Sequence, residues 1–423
     1  MRIIETRRLD DGKGFNQGQT SQLIRIDAPA DNDRILEGIQ ASDYYGRSYF
    51  QTNINHDAGS IKTYNLLVAA MVQMLDPGSV LELGCGRGDI LLLLSLCGVG
   101  KVAGIDISAD AIKGMWPQLA SQVHLGDLLE VCPALARQRR LFDTVVALDI
   151  WEHLHPSRLD DYIRTVLEAA SPDALFYFRI PAFGPDRSFG EVFPLEFEEN
   201  RVDYERDQPF SHLLAESVDP PIPINGHLIW ARSTWWEQQF NRLGLVRAVE
   251  LEARLHQLFD DHLFYAQRVF FVFHRAQAPT GRLAAINAKN LDQISKDSRL
   301  ARLVLAVRRF ERSHAKPVLN PTTALLDINA SLVRTAGRNR EKIQLLVGLL
   351  RALSGDTRQD VAEALRCLRH TLENSLAERV EELADRYILP RGKGPFRRGL
   401  RSLLFRRYRR HLPGETFRPG PVP

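Results

Sequence analysis

VLELGCGRGD, from Val80 to Asp89, is an apolar run that breaks into glycines at alternate positions. A short apolar stretch ending on glycine reads as a buried strand, and the residues from Asp89 to Leu96 read as the helix that follows. Gly84, Gly86 and Gly88 lack Cβ, so the backbone can turn sharply there and approach a ligand closely. The start of the helix offers free N–H groups to a ligand's polar atoms. Strand, glycine-rich turn and helix are shared with dinucleotide-binding folds, but the spacing is G-x-G-x-G and the sixth position is Asp89.

Outward from that turn, strands and helices alternate. Residues 61–76 are predicted helical, with Leu66, Leu67, Ala70, Met71 and Met74 at helix spacing. Predicted strands follow at 79–83, 101–106, 122–127, 142–149 and 174–180, and predicted helices at 89–96, 109–115 and 157–170. This order implies an α/β fold with a mostly parallel sheet and helices on both faces. The alternation breaks over 182–226, which carries prolines, aromatics and acids without a period. Loops of that length are usually functional or act as lids. A helix near 232–242 and strands near 244–251 and 269–274 bring the sheet to about seven strands.

The whole chain sets loose bounds. Its 423 residues predict two to three domains, and 44% hydrophobic with 25% charged residues is an ordinary globular composition. A net charge of +3 does not imply nucleic-acid binding. Cys85, Cys97, Cys132 and Cys367 form no C-x-x-C pair, so a disulfide framework and a zinc knuckle are not expected, and a cytoplasmic protein is. The N-terminus has no apolar core of a secretory signal.

The chemistry-bearing residues cluster after strands. Asp106 ends the second strand, where a carboxylate can accept both hydroxyls of a ribose. Asp127 follows the third strand, as a ligand contact or as a helix cap. After the fourth, ALDIWEHLHP (147–156) contains Asp149, Glu152 and His153 in the order D-x-x-E-H. His227 precedes Trp230, Trp235 and Trp236, which read as core residues or carbohydrate platforms. Neutral histidine can accept a proton near neutral pH.

With E-x-G-x-G-x-G at Glu82 to Gly88 and Asp106 behind it, the chain resembles class I (Rossmann-like) S-adenosylmethionine-dependent methyltransferases over about residues 45–275. The resemblance implies that Glu82, Gly84, Cys85, Gly86, Gly88, Asp106, Ile107, Asp127, Leu128 and Leu148 bind S-adenosylmethionine, with Asp106 on the ribose and Asp127 on the adenine. Some family members carry E-x-x-E-H where this chain has D-x-x-E-H, and hold a divalent metal there. A cation such as magnesium at Asp149, Glu152 and His153 is therefore expected, against the alternative that Glu152 and His153 only shape the pocket. RSFGEVFPLEF (187–197) and NGHLIWARSTWWEQQF (225–240) look like the substrate-side insertion of bacterial methyltransferases associated with glycosyltransferases and surface-polysaccharide synthesis. The implied acceptor is a hydroxyl of a sugar or glycan intermediate, which a lipid could carry, with His227 and His153 as catalytic residues, or His227 as a further metal ligand. The alternatives are a small-molecule methyltransferase of secondary metabolism and an interaction protein with a regulatory or vestigial cofactor domain.

The expected organisation is a lead-in over 1–42, the methyltransferase domain over 43–275 with its insertion at 182–230, a helical domain over 285–390 and a basic tail over 391–423. Apolar residues at steps of three and four over 361–388 suggest a helix that pairs with another, in the same chain or in a second copy. The stretch 391–410 has no acidic residue and interleaves arginine with Phe396, Leu400, Leu403, Leu404 and Phe405. It reads as a solvated tail, as a membrane-surface helix at the inner face, or, least favoured, as a nucleic-acid contact.

Overall fold

The computed structural model describes residues 1–8, 20–46, 61, 63–183, 198–259, 268–278 and 281–289. The chain divides into two units, Met1–Leu319 and Asn320–Pro423. The second unit, the helix expected at 361–388, the basic stretch 391–410 and Cys367 lie outside the described residues. No helix among the described residues is long and apolar enough to cross a membrane.

The first unit is built on a seven-stranded sheet. Its strands are β1 (Ser79–Leu83), β2 (Lys101–Asp106), β3 (Val123–Leu125), β4 (Phe142–Leu148), β5 (Ala170–Arg179), β6 (Leu245–Arg247) and β7 (Phe270–Arg275). They lie in the order β6-β7-β5-β4-β1-β2-β3. Neighbours from β5 to β3 are parallel, while β7 runs antiparallel to both β5 and β6. This is the α/β class expected. The parallel strands are covered on both faces, which is why Leu81, Leu83, Val145, Val146, Phe176 and Tyr177 are buried in near-continuous apolar runs.

Strand order reverses direction between β1 and β4, and open α/β sheets bind ligands outside the carboxyl ends of strands at such a point. The glycine turn leaves β1 there and the D-x-x-E-H segment leaves β4 beside it.

Two expectations change. Residues 244–251 are not one strand: after Leu245–Arg247 the chain enters helix Val249–Phe259. Leu251, Leu255, Leu258 and Phe259 bury one face of that helix, a period of three to four that a strand cannot present to one side. Arg247 and Val272 N–H hold Glu252 across the turn, the latter at 2.9 Å. Nor is the N-terminus a separate lead-in. Strands Arg2–Arg8 and Thr20–Arg25 pair with His212–Glu216 from the insertion in one antiparallel sheet that also takes Ile222–Pro223. Helix Pro29–Ala41 packs on the same piece, with Gly38 so close to Pro220 that a Cβ would lie 2.4 Å from its ring. The described strands of residues 1–42 and of the insertion thus share one antiparallel sheet, a pairing across some 190 residues of sequence that no local period signals.

Candidate functional site

The glycine turn is held from both sides. Gly84, Gly86 and Gly88 have φ of +64°, +52° and +81°, conformations that L side chains rarely adopt. A Cβ on Gly84 would come within 2.0 Å of Ile150 Cδ1, and the Gly84 and Cys85 amides donate to Ile105 O at 2.8 and 3.1 Å. Asp89, the residue that departs from the dinucleotide spacing, is the anchor. It accepts from Asn65 Nδ2 at 2.8 Å, Arg87 Nε at 2.7 Å and Trp116 Nε1 at 2.8 Å. The Arg87 guanidinium stacks 5.1 Å over the Trp116 ring. These partners of Asp89 come from three separate segments, so sequence reading could not find them.

Asp106 is 9% exposed. One carboxylate oxygen accepts from Gly86 N–H and the other from Ser108 N–H, each at 2.8 Å. Each carboxylate oxygen retains a lone pair for a further donor, so a vicinal diol fits. Burial pushes this carboxyl up, while the two amides pull it down. Glu82, 3% exposed, has one oxygen with no partner. Burial, then the charges of Asp89 and Asp106, hold its carboxyl well above the usual range. An orphaned buried acceptor beside the glycine turn suits a ligand's ammonium or N–H group.

Ile107 presents an apolar side chain that is 72% exposed at the end of β2, while Leu128 is buried and Leu148 half-buried. Cys85 is buried, and burial pushes its thiol well up, away from nucleophilic use. Asp127 caps helix Leu128–Arg137 by accepting from Leu129 N–H at 2.8 Å, and Tyr162 donates to its other oxygen at 3.2 Å. Those two bonds account for the acid structurally.

Beside this half lies a second group: Glu152, His153 and His227, with ligand-type atoms all within 4.8 Å of one another. Glu152 is 0% exposed, and neither carboxylate oxygen has a hydrogen-bond partner. Its Oε1 stands 3.8 Å from His153 Nε2 and 3.8 Å from His227 Nε2. The two imidazoles meet edge to face at 4.7 Å. Burial, and next the Asp149 charge, hold the Glu152 carboxyl well above its ordinary range. Burial depresses both histidines, His227 well below the usual value. Both imidazoles are therefore neutral near pH 7.

His227 reaches the cluster because the insertion's return strand is pinned to it. Leu228 and Ile229 N–H both donate to Glu152 O, at 2.7 and 3.0 Å. Asn225 and Gly226, at φ +60° and +72°, make the turn. Tyr45, from the aromatic stretch at 43–50, closes the group: its hydroxyl lies 2.8 Å from His153 Nδ1 and donates to Asn225 O at 3.1 Å. The Tyr45 carbonyl accepts from Ser108 Oγ at 3.3 Å, so this residue ties the cofactor side to the histidines.

Asp149 does not join the cluster. Its carboxylate is paired with Arg179, Nε to Oδ1 at 2.9 Å, while its own N–H donates to Arg179 O at 2.9 Å. The residue sits at φ +54° and is 38% exposed on its side chain. Of the residues expected to hold a cation, Glu152 and His153 stand close together with His227, while the carboxylate of Asp149 is engaged by the Arg179 guanidinium fork. Trp230, Trp235 and Trp236 are buried, which makes them core residues and not exposed platforms.

Residues 61–250 match the family model described as a methyltransferase domain. Among curated proteins, ribosomal protein L11 methyltransferase of Burkholderia mallei (strain NCTC 10229) is 41% identical over 56 residues, 13% of this chain and 19% of that protein. The match thus spans about a fifth of the relative's length. Among solved structures, DesVI of Streptomyces venezuelae is 15% identical at a TM-score of 0.33, covering 57% of this chain and 98% of the other. The CcbJ methyltransferase of Streptomyces caelestis is 18% identical at a TM-score of 0.32, covering 51% and 97%. The family model thus places a methyltransferase domain at residues 61–250, on the seven-stranded sheet.

Proposed function

We propose that the protein transfers the methyl group of S-adenosylmethionine to a hydroxyl of an acceptor, a sugar or glycan intermediate being the favoured class. The observation that carries this reading is one juxtaposition. A carboxylate with two free lone pairs, Asp106, stands beside a glycine turn, and Tyr45 links that side to the buried Glu152–His153–His227 group.

Asp106 would take the ribose hydroxyls, the glycine turn would admit the backbone-proximal part of the cofactor, and the orphaned Glu82 oxygen would face a donor group on it. When bound, the cofactor supplies a methyl on a sulfonium, so displacement breaks the S–CH₃ bond with its electron pair going to sulfur and forms the O–CH₃ bond. An alcohol attacks poorly while it keeps its proton, so this reading needs a group that can accept it. Two neutral imidazoles beside a buried carboxyl supply the place for that proton, which supports oxygen as the accepting atom. The remaining contribution is positioning of donor and acceptor in near-attack geometry.

The test is calorimetric titration of S-adenosylmethionine and S-adenosylhomocysteine into wild type and Asp106→Ala. Micromolar binding that weakens tenfold to a hundredfold in the variant is expected, about 1.5–3 kcal/mol for one charge-assisted partner. No binding to wild type would remove the cofactor reading and bring forward an interaction role for the chain.

A further inference from the structure

We propose that Tyr45 is a positioning residue: with the Gly226 carbonyl it fixes His153 in the Nδ1–H tautomer, so that the Nε2 lone pair is the one offered to the acceptor hydroxyl. This deepens the methyl-transfer reading and rests on it for what that lone pair does. The tautomer itself rests on hydrogen-bond geometry.

Two imidazoles stand beside Glu152, and they are held differently. His153 Nδ1 lies 2.8 Å from the Tyr45 hydroxyl and 3.2 Å from Gly226 O. Among the described residues none hydrogen-bonds the His227 ring, which has the Glu152 carboxyl 3.8 Å from Nε2 and the His153 ring at 4.7 Å. Which nitrogen of a neutral imidazole carries the hydrogen is set by the partners of the ring. His153 is therefore the histidine whose form the fold decides.

Those partners decide it one way. A carbonyl only accepts, so Gly226 O calls for the hydrogen on Nδ1. Tyr45 then receives that hydrogen on its oxygen and gives its own to Asn225 O at 3.1 Å. The other tautomer fails on three counts. It sets a bare Nδ1 against Gly226 O, and it draws the Tyr45 proton away from Asn225 O. It also leaves an Nε2–H whose neighbour, Glu152 Oε1, stands 3.8 Å away and past hydrogen-bond reach.

The partners are brought in from distant segments. Tyr45 follows helix Pro29–Ala41 and is held at both ends. Tyr44 beside it donates to Glu216 Oε1 at 2.7 Å, and the Tyr45 carbonyl accepts from Ser108 Oγ at 3.3 Å. The turn at Asn225 and Gly226 supplies the two carbonyls. A Cβ on Gly226 would lie 1.9 Å from the Tyr45 hydroxyl oxygen and 3.6 Å from His153 Nδ1, at a φ of +72°, so this close approach needs glycine.

The fixed lone pair suits an alcohol. A ring nitrogen of His153 and one of His227 lie within 4.8 Å, a gap that one hydroxyl oxygen at about 2.8 Å from each can bridge. His153 Nε2 accepts the hydroxyl proton, while His227, whose tautomer nothing fixes, can turn its own N–H to the same oxygen. An oxygen electron pair forms the O–CH₃ bond and the S–CH₃ pair leaves with sulfur. The proton stays on His153 until product departs and solvent takes it.

The experiment is a long-range proton–nitrogen correlation spectrum of the full-length protein labelled with heavy-nitrogen histidine, taken near neutral pH with chelator. His153 is assigned by its loss in His153→Gln. Wild type should show His153 as the Nδ1–H form. Tyr45→Phe removes one of two acceptors at Nδ1 and should move the tautomer ratio about fivefold toward Nε2–H. Its calorimetric affinity for S-adenosylmethionine should stay within about twofold. On any nucleotide sugar that wild type methylates, kcat should fall about tenfold with KM nearly unchanged. A tautomer ratio that Tyr45→Phe leaves unmoved, or a kcat equal to that of wild type, would overturn the role of Tyr45. Wild type that binds S-adenosylmethionine but holds His153 as Nε2–H overturns it too and leaves the methyl-transfer reading standing. The Nδ1–H form in a protein that binds no S-adenosylmethionine would do the reverse.

Discussion

The two sides of the switch point are built on opposite terms. On the cofactor side, Asp89 and Asp106 are satisfied by protein donors, from Asn65, Arg87 and Trp116 in one case and from backbone amides in the other. Among its described acids Glu82, Asp89 and Asp106, Glu82 keeps an unpaired oxygen. On the acceptor side, Glu152 keeps both oxygens unpaired and two imidazoles meet it beyond hydrogen-bond reach. A satisfied network offsets much of the cost of burying it, whereas an unsatisfied buried group is retained at a larger expense of stability. The contrast therefore separates a glycine turn whose acids are largely partnered by the protein from a buried carboxyl that is not.

If the contrast is right, removing a centre residue should damage turnover and spare cofactor affinity. His227→Ala should lower turnover on any hydroxyl acceptor the wild type accepts by 10²–10⁴-fold, the range of general acid–base catalysis. Its calorimetric affinity for S-adenosylmethionine should stay within about twofold. Equal loss of both would merge the two sides into one.

Damage to the scaffold should read the other way. Gly84→Ala adds a Cβ 2.0 Å from Ile150 Cδ1 at a φ of +64° and should weaken cofactor binding at least tenfold. Because the obstructing atom is the tip of a flexible side chain, Ile150→Ala in the same background should recover part of that loss. The double-mutant cycle measures how much of the penalty is collision and how much is backbone strain.

Stability against pH sharpens the comparison further. The Glu152 carboxyl lies well above its ordinary value of 4.5 because burial, and then Asp149, disfavour the charge. A raised folded value means that the fold holds this proton more tightly than the unfolded chain does. The stability it contributes is full below about pH 4.5 and is lost as pH rises through the folded value. Glutamine carries no charge, so in the presence of chelator Glu152→Gln should melt at the wild-type temperature near pH 4.5. It should melt a few degrees higher near pH 8. A difference that does not grow with pH would mean the carboxylate is already compensated.

The smallest effect concerns Asp127. As a cap, Asp127→Ala should cost about 1 kcal/mol in denaturant unfolding and leave cofactor affinity nearly unchanged. A tenfold loss of affinity with unchanged stability would restore it to the adenine.

Much of the scaffold was legible because its signals are local. VLELGCGRGD places strand, turn and helix within ten residues, and observed helix Asp89–Leu96 coincides with the one read from sequence. The five strands of the parallel part follow from apolar runs that a buried parallel strand cannot avoid. The same local logic failed at 249–259, where a helical period begins one residue after a strand ends. It also gave no sign that residues 1–42 share a sheet with the insertion. At the site, D-x-x-E-H and the histidine after the insertion supplied Glu152, His153 and His227, but nothing around Asp149 announces Arg179, thirty residues away. Tyr45 was visible only as one aromatic among several.

The sequence by itself determined the α/β order, the glycine turn and the carboxylate at the end of β2, because each depends on neighbours along the chain. Only the tertiary structure decided which acid and which histidines meet. Glu152 and His227 are brought together by two backbone amides of the returning insertion, and Asp149 is withdrawn by a guanidinium from the next strand. The physical reason is range. Backbone conformation answers to residues a few positions away, while the burial and partnering of a charge are set by whatever the fold folds over it.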